Sequence, residues 1–387
     1  MPNRSNAITK SRFESFGGII SVEEPAMLVH VDRDFMRRLG FGESSLWETP
    51  DSGFLCAPCE VHFSVTNRCS SGCKNCYMDS GAADPHELSF TEFCRAVDLL
   101  ADMGVFHMAL GGGEAFERED FLELARYVRS RGIIPNLTTN GFHITKTIAR
   151  QCSVFGQVNV SIDGIGGLYR DMRGVDGYSR ACDALRLLRE AGVQTGINCT
   201  VARKNITVLD EIVALAKQYD LHDVEMLRFK PFGRGMLDYR EMRLTPQQNR
   251  EVFGRFGGLS EKFNIPIRID CSFIPMICWH HPDREIMDKL SINGCDAGNA
   301  LLSVRSDGVL AGCSYCSNNE SIFGFPKLWA TSEHLSRCRT RIKQLGNPCN
   351  HCDYLEICKG GCRSVAAFIT GNPDAPDPEC PFIERNE

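Results

Sequence analysis

The chain has no surplus of positive charge: 43 lysines and arginines face 49 aspartates and glutamates, for a formal net charge of −6. A protein built mainly to grip nucleic acid carries the opposite balance, so no nucleic-acid partner is expected. No apolar run approaches the roughly 20 residues of a membrane helix, and no membrane partner is expected either. The N-terminus, Met1-Pro2-Asn3-Arg4, lacks the apolar core of a secretion signal, which predicts a cytoplasmic protein. There is no solenoid-type repeat and no low-complexity tract. Hydrophobic content of 43% and charged content of 24% belong to a globular chain and exclude disorder as the dominant state. At 387 residues, one large domain with one or two small modules is the natural division.

Cysteine is abundant, with twenty in the chain. In a reducing compartment, clustered cysteines more often hold metal or do redox chemistry than form disulfides. Cys94, Cys152, Cys182, Cys199 and Cys271 stand alone in periodic segments and read as packing residues. Cys56-x2-Cys59 lacks the strand–helix context of a redox pair and reads as two neighbouring loop thiols.

Three segments follow. Residues 1–55 predict a small β-β-α unit, with strands at 16–20 and 27–31 joined through Glu23-Glu24-Pro25 and a helix from Arg33 capped by Asp32 and closed by Gly40. Residues 56–243 alternate strands (61–66, 105–110, 134–138, 157–162, 194–201, 224–229) with helices, which demands parallel strands and helical crossovers. The fold class is therefore α/β; six units without an obvious seventh point to a partial (β/α)6 TIM-like barrel, with a full eight-fold barrel or a doubly wound sheet left open by the alternation alone. Residues 244–387 begin with a helix after Thr245-Pro246, then lose the alternation and become cysteine-dense and loop-rich. A hairpin is predicted around Ser306-Asp307-Gly308. The basic alternation Arg337, Arg339, Arg341, Lys343 reads as a solvated face.

Two constellations carry chemistry. Cys69-x3-Cys73-x2-Cys76 follows the first barrel strand, at the strand end where α/β folds place catalysis. Three thiolates on one short loop can take three corners of a 4Fe–4S cube and leave the fourth iron open. A zinc site normally wants a fourth protein ligand, and none is obvious on this loop. The second constellation is Cys295, Gly308-x4-Cys313, Cys349-x2-Cys352-x5-Cys358-x3-Cys362 and Cys380.

The first constellation resembles the radical S-adenosylmethionine superfamily, and further motifs agree in order over residues 60–235. Gly112-Gly113-Glu114 is similar to the motif that holds the cofactor's amino group, and Thr138-Thr139-Asn140-Gly141 to the motif ending the third strand. Ser161-Ile162-Asp163-Gly164, with Arg173 beyond, resembles positions contacting the methionyl carboxylate or ribose, and Pro231–Gly235 a segment bordering adenine. The family's aromatic before the third cysteine is Asn75 here, with Tyr77 following, and its proline after Gly-Gly-Glu is Ala115. The resemblance implies Tyr77, Gly112, Gly113, Glu114, Asn140, Ser161, Asp163 and Arg173 as cofactor-binding residues and names no catalytic side chain.

The second constellation resembles the SPASM extension, which implies two auxiliary 4Fe–4S clusters, three clusters in all. Cys349, Cys352, Cys358 and Cys380 would hold the outer one; Cys295, Cys313 and Cys362 the inner one, with Cys316 as preferred fourth ligand and Cys278 or an open iron as alternatives. The implied activity is reductive cleavage of S-adenosylmethionine to a 5′-deoxyadenosyl radical that modifies a ribosomally made precursor peptide. Backbone excision of a tyramine unit to leave an α-keto-β-amino acid, or crosslinking, would be the outcome. The alternative is a small-molecule reaction in cofactor or tetrapyrrole synthesis. Implied partners are an electron donor such as flavodoxin or ferredoxin and a small leader-binding protein.

Overall fold

The computed structural model describes residues 8–22 and 26–383. The expected link at Glu23-Glu24-Pro25 and the N-terminal tetrapeptide lie outside the described residues. A first sheet runs antiparallel in the order β1 (Ile8–Glu14), β2 (Gly17–Val22), β3 (Met27–Asp32). The unit thus has one strand more than the β-β-α expected. That strand, Ile-Thr-Lys-Ser-Arg-Phe-Glu, reads as polar because Arg12 and Glu14 point inward as a buried ion pair at 2.8 Å. Arg12 also donates to the carbonyl oxygen of Pro58 and Glu14 accepts the Cys56 N–H, so the polar residues latch the unit onto the main domain. Asp32 caps helix Arg33–Arg38 as predicted, accepting the Phe35 N–H at 2.7 Å.

The main sheet begins with β4 (Glu60–Thr66), β5 (His107–Gly112), β6 (Ile134–Thr139), β7 (Val158–Ser161), β8 (Thr195–Val201) and β9 (Asp223–Arg228). These six are parallel and adjacent in chain order, which is the partial barrel read from the alternation. Helices Phe90–Asp102, Phe121–Ser130, Tyr178–Glu190 and Leu209–Gln218 bury apolar faces on it. The core is Val61, Phe63, Val65, Leu110, Val160, Ile197 and Met226 with the helix faces around them.

The alternation continues past residue 243, contrary to the sequence reading. Helix Pro246–Phe263, started by a Thr245–Gln248 capping box, leads into β10 (Ile267–Ile269), a seventh parallel strand beside β9. With three residues and an Ile-Arg-Ile pattern, it falls below what periodicity detects. At the other edge the predicted hairpin exists, as β11 (Leu301–Val304) and β12 (Leu310–Ala311), and β11 pairs in parallel with β4. The cysteine-rich segment therefore shares a sheet with the barrel.

The C-terminal loops are tied in by a buried ion pair. Arg228, on β9, donates to Asp377 (2.6 Å) and Glu379 (2.8 Å), all three nearly without exposure. Burial alone would raise the Asp377 carboxyl; Arg228 outweighs it and holds the group below its ordinary value. Its stabilising contribution is present above the unfolded carboxylate pKa of about 3.9 and is lost as pH falls through the lower folded value. Asp377→Ala strands the Arg228 charge and should cost about 3–5 kcal/mol, nearer the lower figure because Glu379 remains. A denaturant midpoint unchanged from the parent would contradict this.

The basic alternation is not a solvated face. Arg341 is buried and donates to the carbonyls of Gly360, Gly361 and Ala375. The Arg339 guanidinium lies 3.8 Å from the centre of the Phe54 ring and 4.5 Å from that of Trp329, and Arg337 pairs with Asp374. A loop-rich segment leaves many carbonyls without ladder partners, and guanidinium groups supply the donors. Arg337 and Lys343 are the exposed members of the four.

Candidate active site

The loop after β4 has no regular structure and is held by its surroundings. At its base the Glu87 carboxylate accepts from Asn67 N–H (2.6 Å), the Thr66 hydroxyl and Asp84 N–H. Cys69 N–H donates to Gly81 C=O at 2.8 Å, closing the loop on itself. Ser80 N–H points at the Cys76 sulfur, 3.4 Å away. Burial pushes the thiols of Cys69 and Cys73 up. Among the described residues no three Cys, His, Asp or Glu converge as for a single metal ion. A cube, which takes one thiolate per iron corner, asks for wider spacing.

Arg234, on the loop after β9, clamps this segment. Its Nε donates to Cys73 C=O (2.7 Å), its Nη1 to Ser80 C=O and to the Asp79 carboxylate (both 2.8 Å), and its backbone N–H to Cys76 C=O (2.9 Å). Gly233 precedes it at φ +57°, where a Cβ would strike the carbonyls of Cys76 and Tyr77, so the approach requires glycine. Only the position of Arg234 in a Gly-Arg-Gly loop hints at this in the sequence. Arg234→Met should weaken the clamp by about 1.5–3 kcal/mol, since hydrogen bonds to a charged group are lost. Faster amide hydrogen exchange over residues 69–80 is the expected readout.

The other predicted residues gather at the same strand ends. Gly113 follows β5 where a Cβ would strike the Arg68 carbonyl, so the glycine lets the two strand ends meet. Gly112 precedes it at φ +115°, against the Thr66 carbonyl. Glu114 is buried, and its carboxylate accepts from the Thr139 hydroxyl (2.7 Å), Asn140 N–H (2.8 Å) and Phe116 N–H (3.4 Å). Burial pushes it up, against the pull of those bonds. Three acceptor positions are used and about one is left for a cationic ligand. The Asn140 amide donates to Ser71 Oγ (2.9 Å), joining the end of β6 to the cysteine loop.

Asp163, beyond β7, accepts from Arg173 Nη1 (2.8 Å), Asn75 Nδ2 (3.2 Å) and Thr200 N–H (2.7 Å). Burial opposes the charge on Arg173, but Asp163 and Cys73 outweigh it and raise its pKa. Ser161 ends β7 in register with Asn198 of β8. The Tyr77 ring lies 5.1 Å from that of Tyr315, which stands between Cys313 and Cys316. Lys230, paired with Asp270, sits 4.7 Å from the Tyr315 ring centre. Sequence reasoning missed Tyr315 and Lys230, though a tyrosine between two candidate ligands was the available signal. A cavity of about 390 Å³ opens beside Asn75, lined also by Lys74, Met172, Arg203, Phe229 and Met242.

The remaining cysteines sort into groups. Cys349 neighbours Cys352 and Cys358, Cys380 neighbours Cys349 and Cys358, and Cys278 is hydrogen-bonded to Cys358, so Cys278 lies with the outer set rather than the inner. Cys295 neighbours Cys313 and Cys362, and Cys316 lies 3.5 Å from Cys313. Cys152 and Cys199 are buried and Cys94 and Cys182 half-buried, as packing residues should be, but Cys271 is not. It keeps open surface near Cys295 and Cys362. Cys56 donates to Phe13 C=O and Glu14, while Cys59 accepts from Arg12; burial pushes these thiols up to about 12 and about 11. They serve the N-terminal latch.

Residues 63–220 match the radical SAM superfamily. The chain is 30% identical over 338 residues, 84% of its own length and 83% of the relative's, to the mycofactocin maturase MftC of Mycolicibacterium smegmatis. The chain belongs to the radical SAM superfamily; it is an enzyme that uses S-adenosylmethionine and a 4Fe–4S cluster. An AdoMet-dependent heme synthase of Oleidesulfovibrio alaskensis is 27% identical over 84% of this chain and 88% of its own. Among solved structures, Streptococcus suis SuiB bound to its precursor peptide SuiA superposes with a TM-score of 0.76 at 16% identity, covering 97% of this chain and 99% of that one. At that identity the likeness speaks for the fold. Among the described residues no helix is long and apolar enough to cross a membrane.

Proposed function

We propose that the chain modifies a ribosomally made precursor peptide by radical chemistry. The likeness to a mycofactocin maturase over 84% of the chain carries this reading, and the fold it shares with a structure bound to its precursor peptide agrees with it. When bound, the cluster and S-adenosylmethionine supply a 5′-deoxyadenosyl radical able to take hydrogen from an unactivated C–H. Cys69, Cys73 and Cys76 would hold the cluster, and Arg234 and Asn140 keep their loop in place. Glu114, at the glycine-opened strand end, receives the cofactor's ammonium. Asp163 and Arg173 fix the far side, with Ser161 and Tyr77 completing the pocket. The cavity beside Asn75, with basic Lys74 and Arg203 at its wall, admits the peptide. Cys349, Cys352, Cys358 and Cys380 would hold one auxiliary 4Fe–4S cluster and Cys295, Cys313 and Cys362 a second, and such clusters would supply electron transfer to or from the substrate. Excision of a tyramine unit or crosslinking is the outcome on the peptide. A flavodoxin or ferredoxin delivers the first electron, and a leader-binding protein presents the peptide.

The test is anaerobic incubation with reductant, S-adenosylmethionine and the short peptide encoded beside the gene. A changed peptide mass with matching 5′-deoxyadenosine is expected. Turnover of an iron porphyrin with no change in the peptide would replace this reading with the small-molecule one, which the heme synthase relatives favour.

Glu114→Ala should weaken S-adenosylmethionine binding by about 1.5–3 kcal/mol, the worth of a charge-assisted bond, with iron content unchanged. Equilibrium dialysis giving the parent's dissociation constant would reduce the Gly-Gly-Glu segment to a turn.

A further inference from the structure

The inner auxiliary set has three ligands from its motif, yet a further thiol, Cys271 just beyond β10, neighbours two of them. Cys271 is exposed and Cys295, Cys313 and Cys362 are half-buried. Cys295 is the foremost thiol neighbour of Cys271, with Cys362 next, and Cys295 in turn neighbours Cys313 and Cys362.

The backbone fixes this grouping. Cys271 stands between Asp270 and Ser272, and both are bonded to Arg228: its N–H donates to Asp270 Oδ2 (3.1 Å) and its Nη1 to Ser272 C=O (2.9 Å). The same guanidinium grips Asp377, whose Oδ2 accepts the Cys362 N–H at 2.9 Å. Cys271 and Cys362 thus hang from one buried ion pair.

Cys316 is placed differently. Its sulfur is 3.5 Å from that of Cys313, and its other thiol neighbour is Cys338. The Cys338 sulfur occupies the space left by Gly312, 2.8 Å from where a Cβ would stand, with His334 Nε2 at 4.0 Å. Sulfurs 3.5 Å apart suit two ligands on one tetrahedral ion with metal–sulfur bonds of about 2.3 Å. A cube wants one thiolate per iron.

We propose that Cys271 is the fourth protein ligand of the inner auxiliary cluster. This rests on the auxiliary-cluster reading above. With a thiolate on each iron, the inner cluster offers the substrate no coordination site.

The test uses the full chain carrying alanine at Cys69, Cys73 and Cys76, so that only auxiliary clusters contribute to the spectra. This parent should hold about eight irons, four per cube. Cyanide, which ligates an iron lacking a protein thiolate, is the probe, and the electron paramagnetic resonance of the reduced protein is the readout. The expected result is no cyanide effect in the parent or in Cys316→Ala, and a cyanide-dependent signal in Cys271→Ala. Should alanine cost the cluster or the fold, Cys271→Ser decides: eight irons with a shifted reduction potential support ligation, and an unchanged potential overturns it. Cyanide binding by the parent, or by Cys316→Ala and not Cys271→Ala, also overturns the proposal. A parent with no auxiliary iron at all refutes the auxiliary-cluster reading itself, an outcome distinct from these.

Discussion

Alanine at Cys69, Cys73 and Cys76 together is expected to remove about four irons and to abolish all cleavage of S-adenosylmethionine. The loop has no helix or strand within it, and its backbone is held by Glu87, Arg234, Asn140 and the closure of Cys69 on Gly81. None of those contacts uses a cysteine sulfur, so the loop should keep its course without the thiols. Loss of iron would then report lost ligands rather than a collapsed segment. Iron counts and 5′-deoxyadenosine assays on the anaerobically reconstituted variant measure the two effects separately. Cleavage retained by a folded triple variant would remove the active site from this loop.

The six-strand order of the barrel was legible because five of the six strands end in a motif and the helices between them carry apolar faces, so pattern and chemistry agree. What escaped notice was stabilised from a distance. Strand β1 hides its inward face as Arg12 and Glu14, which make sense only against the Cys56–Cys59 loop. Strand β10 is too short to show a period, and parallel pairing with β9 makes it a strand. Arg341 looks like surface charge until the uncapped carbonyls of Gly360, Gly361 and Ala375 are seen around it. At the site, motif residues were readable one by one, but Tyr315 and Lys230 belong to no motif, and the motif holding Arg234 gives no sign of its clamp on the cysteine loop. Their roles come from contacts spanning 85 to 238 residues of chain. Such long-range pairings leave no local periodicity to read.

Alanine at Cys349 and Cys352 together is expected to abolish product while leaving some 5′-deoxyadenosine formation uncoupled from it. The ligands assigned to the first cluster all lie between β4 and β5, and those of the outer auxiliary cluster all follow β12, so the first set is complete without the second. Between them stand β11, paired with β4, and the Tyr77–Tyr315 contact, which couple the two regions mechanically but share no thiol. Metal binding in a loop-rich segment contributes to its folding, so the variant must first be shown to fold. The buried Arg228–Asp377–Glu379 network and the Arg341 carbonyl cage hold that segment independently of iron, which favours survival of its fold. Circular dichroism like the parent's with about four irons fewer defines the sample worth assaying. Full product from that sample would show that the outer cluster does not serve turnover. Loss of 5′-deoxyadenosine along with product would instead make the outer cluster a source of electrons for the first, a role the separate ligand sets do not require.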